Sequence, residues 1–264
     1  MINRIDTKLT NVKDSGNTAL ASFITLGFPD LETSKNIAIG LAQSGVDLLE
    51  LGIPFSDPIA DGPIIQKTSF HALKQGVNLK NSLSTIKNLR SKDRETPIVL
   101  LGYFNPFLQY GLSRFVKDAS HAGVDGLIVP DLPTEESASL RQLCTKNNLH
   151  LIPLLAPTST EKRISQACKH ANGFIYCVQV VGVTGARDNL HRGIRGLVKK
   201  IRRHTDLPVL VGFGVSTREH VNEISEFADG SIVGSALLQS IDSSLQGEHV
   251  NTAKSFIYGL RGSK

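Results

Sequence analysis

The chain has 264 residues, of which 40% are hydrophobic and 20% charged; that balance supports a packed core, argues against global disorder, and fits one α/β barrel of ~250 residues as well as two smaller domains. Lys and Arg number 29 against 24 Asp and Glu, a formal charge of +5, too mild and too scattered for the basic stripe of a nucleic-acid binder. The densest basic run, Lys199-Lys200-Ile201-Arg202-Arg203, closes a helical pattern, where cations complement the carbonyl end of the dipole.

In chain order, Met1 to Asp6 lacks the apolar centre of a signal peptide, and no run is long enough to span a membrane. The predicted location is the cytoplasm, or the stroma if the chain is made within a plastid. Short apolar runs then recur, eight in all: residues 20–25, 46–51, 98–101, 124–129, 149–155, 173–178, 209–212 and 230–233. Most are continuously apolar rather than alternating, the pattern of parallel strands covered on both faces. Amphipathic segments lie between them. Thr33 to Ser44 opens with a possible cap and stops before Gly45; Ser113 to Ala122 stops before Gly123. Helix starts are predicted at Thr134-Glu135-Glu136 and Ser159-Thr160-Glu161, hydroxyls followed by acids, and another at Thr217-Arg218-Glu219. Three cysteines, Cys144, Cys168 and Cys177, are odd in number and form no Cys-x-x-Cys pair, so neither a disulfide framework nor a structural metal site is predicted.

Strands alternating with helices allow a closed barrel or a doubly wound sheet. A dinucleotide fold places its glycine fingerprint after the first strand; here that position reads Gly27-Phe28-Pro29-Asp30. The glycine-rich turns instead follow the sixth, seventh and eighth runs: Gly182-Val183-Thr184-Gly185, Gly212-Phe213-Gly214-Val215 and Gly234-Ser235-Ala236. Phosphate-binding barrels use the loops after strands seven and eight, and a helix starting at Ser235 would direct its amides at an anion. The predicted fold is therefore a TIM (β/α)8 barrel, one domain over residues 1–264.

Glu50 sits near the end of the second run, at the barrel face where active sites gather. A carboxylate in an apolar strand has its pKa raised by burial and is suited to proton exchange near neutral pH, although a buried ion pair would read the same way. Asp61 and Asp57, beside Gly62 and Pro58, each fit an ordinary turn when taken singly. Phe23, Leu101, Ile128 and Tyr176 are most simply core residues; an aromatic substrate would require some of them to face inward.

The segment Glu50 to Gln66, ELGIPFSDPIADGPIIQ, is long and specific, and it resembles the signature of tryptophan synthase alpha subunits. Similar matches occur at Phe23 to Asp30, Tyr103-Phe104-Asn105-Pro106, Val129 to Pro133, Gly182 to Arg187 and Gly234-Ser235-Ala236, so the resemblance covers nearly the whole chain. It implies a lyase that splits indole-3-glycerol phosphate into indole and glyceraldehyde 3-phosphate, with a short helix ahead of the barrel. It implies Glu50 as the acid/base group, Asp61 as the partner of the indole N–H, Phe23 and Tyr176 beside the ring, and Gly185, Gly214, Gly234 and Ser235 around the phosphate. Thr184 would belong to a loop closing toward Asp61. No cofactor or metal is implied in this chain; pyridoxal phosphate would belong to a beta subunit partner, in an alpha2-beta2 heterotetramer, docking on positions such as Pro54, Asp57, Pro58, Asn105, Asp131 and Pro133. Many bacterial members carry an Arg shortly before the Gly-Val-Thr-Gly loop, where this chain has Gln179-Val180-Val181. A stand-alone lyase releasing free indole would use the same residues without a partner.

Overall fold

The computed structural model describes residues 2–178, 187–212 and 214–262. Helix α1 (Arg4–Asp14) comes first, then β1 (Ala19–Thr25), α2 (Leu31–Gln43), β2 (Leu48–Gly52), α3 (Pro63–Lys74) and α4 (Leu79–Lys92). Next are β3 (Ile98–Leu101), α5 (Phe104–Tyr110), α6 (Leu112–Ala122), β4 (Gly126–Ile128), a short 3₁₀ turn (Thr134–Glu136) and α7 (Ala138–Lys146). The chain continues through β5 (His150–Leu151), β6 (Leu154–Leu155), α8 (Glu161–His170), β7 (Ile175–Val178), α9 (Arg187–Ile201), β8 (Val209–Gly212), α10 (Arg218–Ser225), β9 (Gly230–Val233), α11 (Ser235–Asp242) and α12 (His249–Arg261).

All strand pairings are parallel, in the order β5-β4-β3-β2-β1-β9-β8-β7-β6. The two ends of that order are halves of one predicted run, 149–155. The Ile152 amide donates to Leu127 on the β4 side (2.9 Å), and the Pro153 carbonyl accepts from Tyr176 on the β7 side (3.1 Å). Residues 150–155 thus act as one strand, split where Pro153 has no N–H to give, and the nine segments close as the eight-stranded barrel the sequence predicts.

The period of two along each strand divides the apolar residues between two cores. Leu49 and Leu51 of β2 face the helices, while Leu48 faces the barrel interior with Val99, Ile128, Phe174, Leu210 and Ile232. The bottom of that interior is plugged by Ile5 and Leu9 of α1. Room for Ile5 comes from two glycines: a Cβ at Gly126 would lie 3.0 Å, and one at Gly173 3.3 Å, from its side chain. Asn3 fixes the plug. Its side-chain oxygen accepts the Ile5 amide (2.9 Å), and its amide nitrogen donates to the carbonyls of Asp125 and Asn148 (both 2.9 Å). Arg4 and Arg90 share the Asp125 carboxylate beside it, at 2.7 and 3.0 Å.

Two helix starts and one strand differ from the sequence expectations. Asp30, not Thr33, caps α2, its carboxylate accepting the Thr33 amide at 2.8 Å. Thr134 opens a 3₁₀ turn, and α7 begins only at Ala138. The strand predicted over 46–51 begins at Leu48 and runs on to Gly52. Thr160 and Thr217 do cap α8 and α10, and Gly123 ends α6 in the left-handed region at φ 92°. Cys144, Cys168 and Cys177 are buried free thiols, with burial pushing Cys144 and Cys177 up to about 12 and Cys168 to about 11.

Candidate active site

Glu50 is the third residue of β2, so the alternation that sends Leu49 and Leu51 outward turns its carboxylate into the barrel. Parallel register sets it beside Phe23 on β1 and Val99 on β3. Its residue exposure is 1%, and Oε2 has no hydrogen-bond partner. Burial, followed by repulsion from Asp61, pushes its carboxyl up to about 8, against the opposing effect of a hydrogen bond from the Tyr176 hydroxyl. Burial and the two acids in turn hold the Tyr176 phenol far above its ordinary range.

Asp61 arrives from the loop between β2 and α3. Its main chain is fixed at both ends: the amide donates to Pro58 (3.0 Å), and the carbonyl accepts from the Gln66 side chain (2.9 Å). The Asp61 carboxyl is raised to about 6 by burial, which a hydrogen bond from Tyr103 opposes. Further back, Ser69 on α3 holds the loop by taking the Phe55 amide (2.9 Å) and giving to the Phe55 carbonyl (3.1 Å).

Glu50, Asp61, Phe23 and Tyr176 share one cavity of about 490 Å³ at the C-terminal ends of the strands. Leu101, Leu154, Val178 and Ile232 supply apolar wall. Gly214, Gly234 and Ser235 line the same space. Gly214 adopts φ 52°, a left-handed conformation that favours glycine. Gly234 caps α11 without any side-chain hydrogen bond, so the first amides of that helix stay available to an anion. Thr184 and Gly185 lie outside the described residues, as do Gly182 and Val183.

Two glycines do work that spacing alone does not reveal. A Cβ at Gly212 would come within 2.5 Å of the Tyr176 ring, and a Cβ at Gly52 within 2.6 Å of the Phe23 ring. Each therefore clears the neighbouring strand for an aromatic side chain to lie across it. The sequence reading groups Gly212 with the phosphate turn; its structural task is to seat Tyr176. Ile128 points inward too, but into the floor below the cavity. Tyr103 has no assigned role in the sequence reading; it lies just past the third strand, and its hydroxyl accepts the Ala60 amide at 3.0 Å, next to Asp61. Among the described residues no group of His, Cys, Asp and Glu is arranged to hold a metal ion, and no helix is long and apolar enough to cross a membrane.

The fold and the site together define a (β/α)8 barrel with two carboxylates of unlike acidity and a set of free main-chain amides at one mouth, the equipment of an acid–base enzyme acting on a phosphorylated substrate. Comparison with known proteins narrows that class. The sequence model of the family described as "Tryptophan synthase alpha chain" matches residues 9–260. The chain is 45% identical to the tryptophan synthase alpha chain of Roseiflexus castenholzii, over 99% of this chain and 100% of that one. It is 43% identical to that of Chloroflexus aggregans, over 98% and 97%. Among solved structures, tryptophan synthase subunit alpha from Legionella pneumophila superposes with a TM-score of 0.91 at 35% identity, covering 99% and 98% of the two chains. A chain of tryptophan synthase from M. tuberculosis in its aminoacrylate-bound form superposes with a TM-score of 0.88 at 29% identity, over 98% of each. The chain belongs to the tryptophan synthase alpha chain family, and its activity is the lyase cleavage of indole-3-glycerol phosphate.

Proposed function

We propose that this cleavage is carried by Glu50 and Asp61, acting as acid/base and as electrostatic partner over a phosphate held by main-chain amides. The observation that carries the reading is the buried Glu50 carboxyl, one oxygen unpartnered, in the same cavity as Asp61 and the α11 amides. At neutral pH a carboxyl at about 8 is mostly protonated and one at about 6 mostly ionised, so the pair divides into an acid and an anion.

Glu50 gives its proton to C3 of the indole ring. The ring becomes an indolenine cation with positive charge at its N–H, and the Asp61 carboxylate faces that charge. Glu50, now anionic, takes the proton of the hydroxyl on the adjacent glycerol carbon. The carbon–carbon bond breaks, its electrons return to the ring and neutralise the nitrogen, and the hydroxyl-bearing carbon leaves as the aldehyde of glyceraldehyde 3-phosphate. Indole is released and Glu50 is again protonated. The ring itself accepts the electrons, so this route draws on no cofactor of the chain. Phe23 and Tyr176 flank the ring; Gly214, Gly234 and Ser235 hold the phosphate, joined in this reading by Gly185, with Thr184 closing toward Asp61.

The same reading takes residues 1–264 as one domain working in the cytoplasm, or in a plastid stroma, within an alpha2-beta2 heterotetramer whose beta subunit carries pyridoxal phosphate and consumes indole. Supporting the partner, Asp57, Asn105, Asp131 and Pro133 are exposed near the mouth and Ile59 is 81% exposed, although Pro54 and Pro58 are buried. The relatives are named as alpha chains of a synthase, which favours this reading over a stand-alone lyase. The test is indole release from indole-3-glycerol phosphate, with and without a beta subunit. Acceleration by the beta subunit is expected, and Glu50→Gln should lose ~10²–10⁴-fold in rate, the usual worth of one acid–base group. Near-normal turnover of that variant would overturn the assignment of Glu50, and indifference to the beta subunit would return the stand-alone lyase.

A further inference from the structure

Helix α7 begins at Ala138 rather than at the predicted Thr134. Beside that start, between α7 and α8, lies a cleft of about 240 Å³, set against Leu151 to Leu154 where the fifth strand is split. It falls below the ~300–1,000 Å³ of drug-sized pockets and suits a smaller molecule. Leu132, Leu151, Ile152, Leu154 and Ala167 give it apolar wall. Its charge is one-sided: Arg141 of α7 and Arg163 and His170 of α8 line it, and among the described residues Asp131 is the one acid in the lining. Both Asp131 oxygens already accept the Phe104 amide, at 2.9 and 3.2 Å. Arg163 pairs with Glu135 across 3.7 Å, both side chains about half in solvent.

Arg141 is only partly exposed, yet among the described residues no carboxylate pairs with it. Its side chain is held from one end: Nη1 donates to the Ser137 hydroxyl at 3.0 Å. Ser137 is buried, and its hydroxyl donates in turn to the Thr134 carbonyl at 2.8 Å, so its proton is committed and its lone pair faces the arginine. The rest of the guanidinium fork keeps its donors for a ligand. Burial, followed by repulsion from Arg141 and Lys169, holds the His170 imidazole below its usual range; Arg141 and His170 are thus near enough to repel each other.

We propose that this cleft binds a small organic carboxylate: the Arg141 guanidinium takes the carboxylate, Arg163 and His170 add donors and positive charge, and an apolar body lies against Leu132, Ile152 and Ala167. A planar carboxylate matches the arginine fork, and an inorganic anion would leave the apolar walls uncovered. Pro130, Leu154 and Val178 line both this cleft and the catalytic cavity, so binding is to be read by place as well as by affinity.

The test titrates phenylacetate into the full ¹⁵N-labelled chain at neutral pH and follows the amide shifts by NMR. For a molecule of that size a Kd on the order of 1 mM is expected, with shifts at Ser137, Arg141, Ala167 and His170. Arg141→Gln, which leaves the Ser137 hydroxyl its Thr134 carbonyl, should weaken binding about tenfold or more, the worth of a hydrogen bond to a charged group, while indole release from indole-3-glycerol phosphate stays at the parent rate. Inorganic phosphate at the same concentration should leave these amides unmoved. Unchanged affinity in Arg141→Gln, an equal response to phosphate, or no shift with phenylacetate at ~20 mM overturns the proposal. Shifts at Gly234 and Ser235 that survive in Arg141→Gln place the probe in the catalytic cavity and overturn it as well.

Discussion

At the residue scale, the site depends on keeping a carboxyl where water cannot reach it. Glu50 is destabilising when ionised, because burial and Asp61 both raise its pKa, to about 8 from 4.5. Below pH 4.5 the folded and unfolded chains both hold the proton and the group is neutral to stability. Between pH 4.5 and about 8 the unfolded chain releases it and the folded chain does not, so stability is lost as pH rises through that window. Glu50→Gln removes this titration. Its advantage over the parent chain should grow across the window by at most ~1.4 kcal/mol per pH unit, measured by urea unfolding at pH 4, 6 and 8. Equal stability of the two proteins at pH 4 and pH 8 would show that the carboxyl is not buried as described. The two aromatics beside the acid obey a similar local rule: Tyr176 and Phe23 lie flat because Gly212 and Gly52 present no side chain to them.

At the scale of elements, the barrel's two ends differ in purpose. The strands' C-terminal ends hold the cavity, and the opposite end is closed by α1 through Asn3. Asn3→Ala would lose the cap of α1 and one donor to each of two carbonyls, of which that of Asp125 keeps the His150 amide. That should cost about 2–3 kcal/mol, about 1 for the cap and the rest mainly for the Asn148 carbonyl, read as a fall in Tm on the order of 5–10 °C for a chain of this size. Activity at a temperature where both proteins are folded should be unchanged; a loss of kcat would mean that the floor reaches the site. Much of this layout was legible beforehand. Continuous apolar runs gave the strands, and Gly123, Thr160 and Thr217 gave helix ends, because their signals are local. The 3₁₀ turn at Thr134 and the Asp30 cap were misread, since several adjacent hydroxyls and acids could each cap and only tertiary placement chooses. Glu50 stood out as a charge in an apolar strand. Gly52, Gly212 and Tyr103 did not, because their importance comes from neighbours 29, 36 and 42 residues or more away in sequence, brought close by register alone.

At the scale of the molecule, the loop that lines the cavity mouth carries an exposed apolar side chain, Ile59, beside Asp57. Ile59 is 81% exposed in the loop that also carries Asp61, so the proposed beta-subunit interface would cover it. Ile59→Asp should weaken association with a beta subunit at least tenfold in a titration followed by indole release or calorimetry, and leave the unassisted cleavage within about twofold. Undiminished affinity would remove this loop from the docking surface.

The split of the fifth strand at Ile152-Pro153 has a mechanical corollary. The ladder runs without interruption from β5 through β1 and β9 to β6, so the ring has its seam in the middle of the sequence, while the first strand and the last are joined over four register pairs. A backbone nick at Pro153 would therefore unroll the cylinder into a curved open sheet instead of releasing its halves, and the two fragments would stay zipped along the edge where the chain begins and ends.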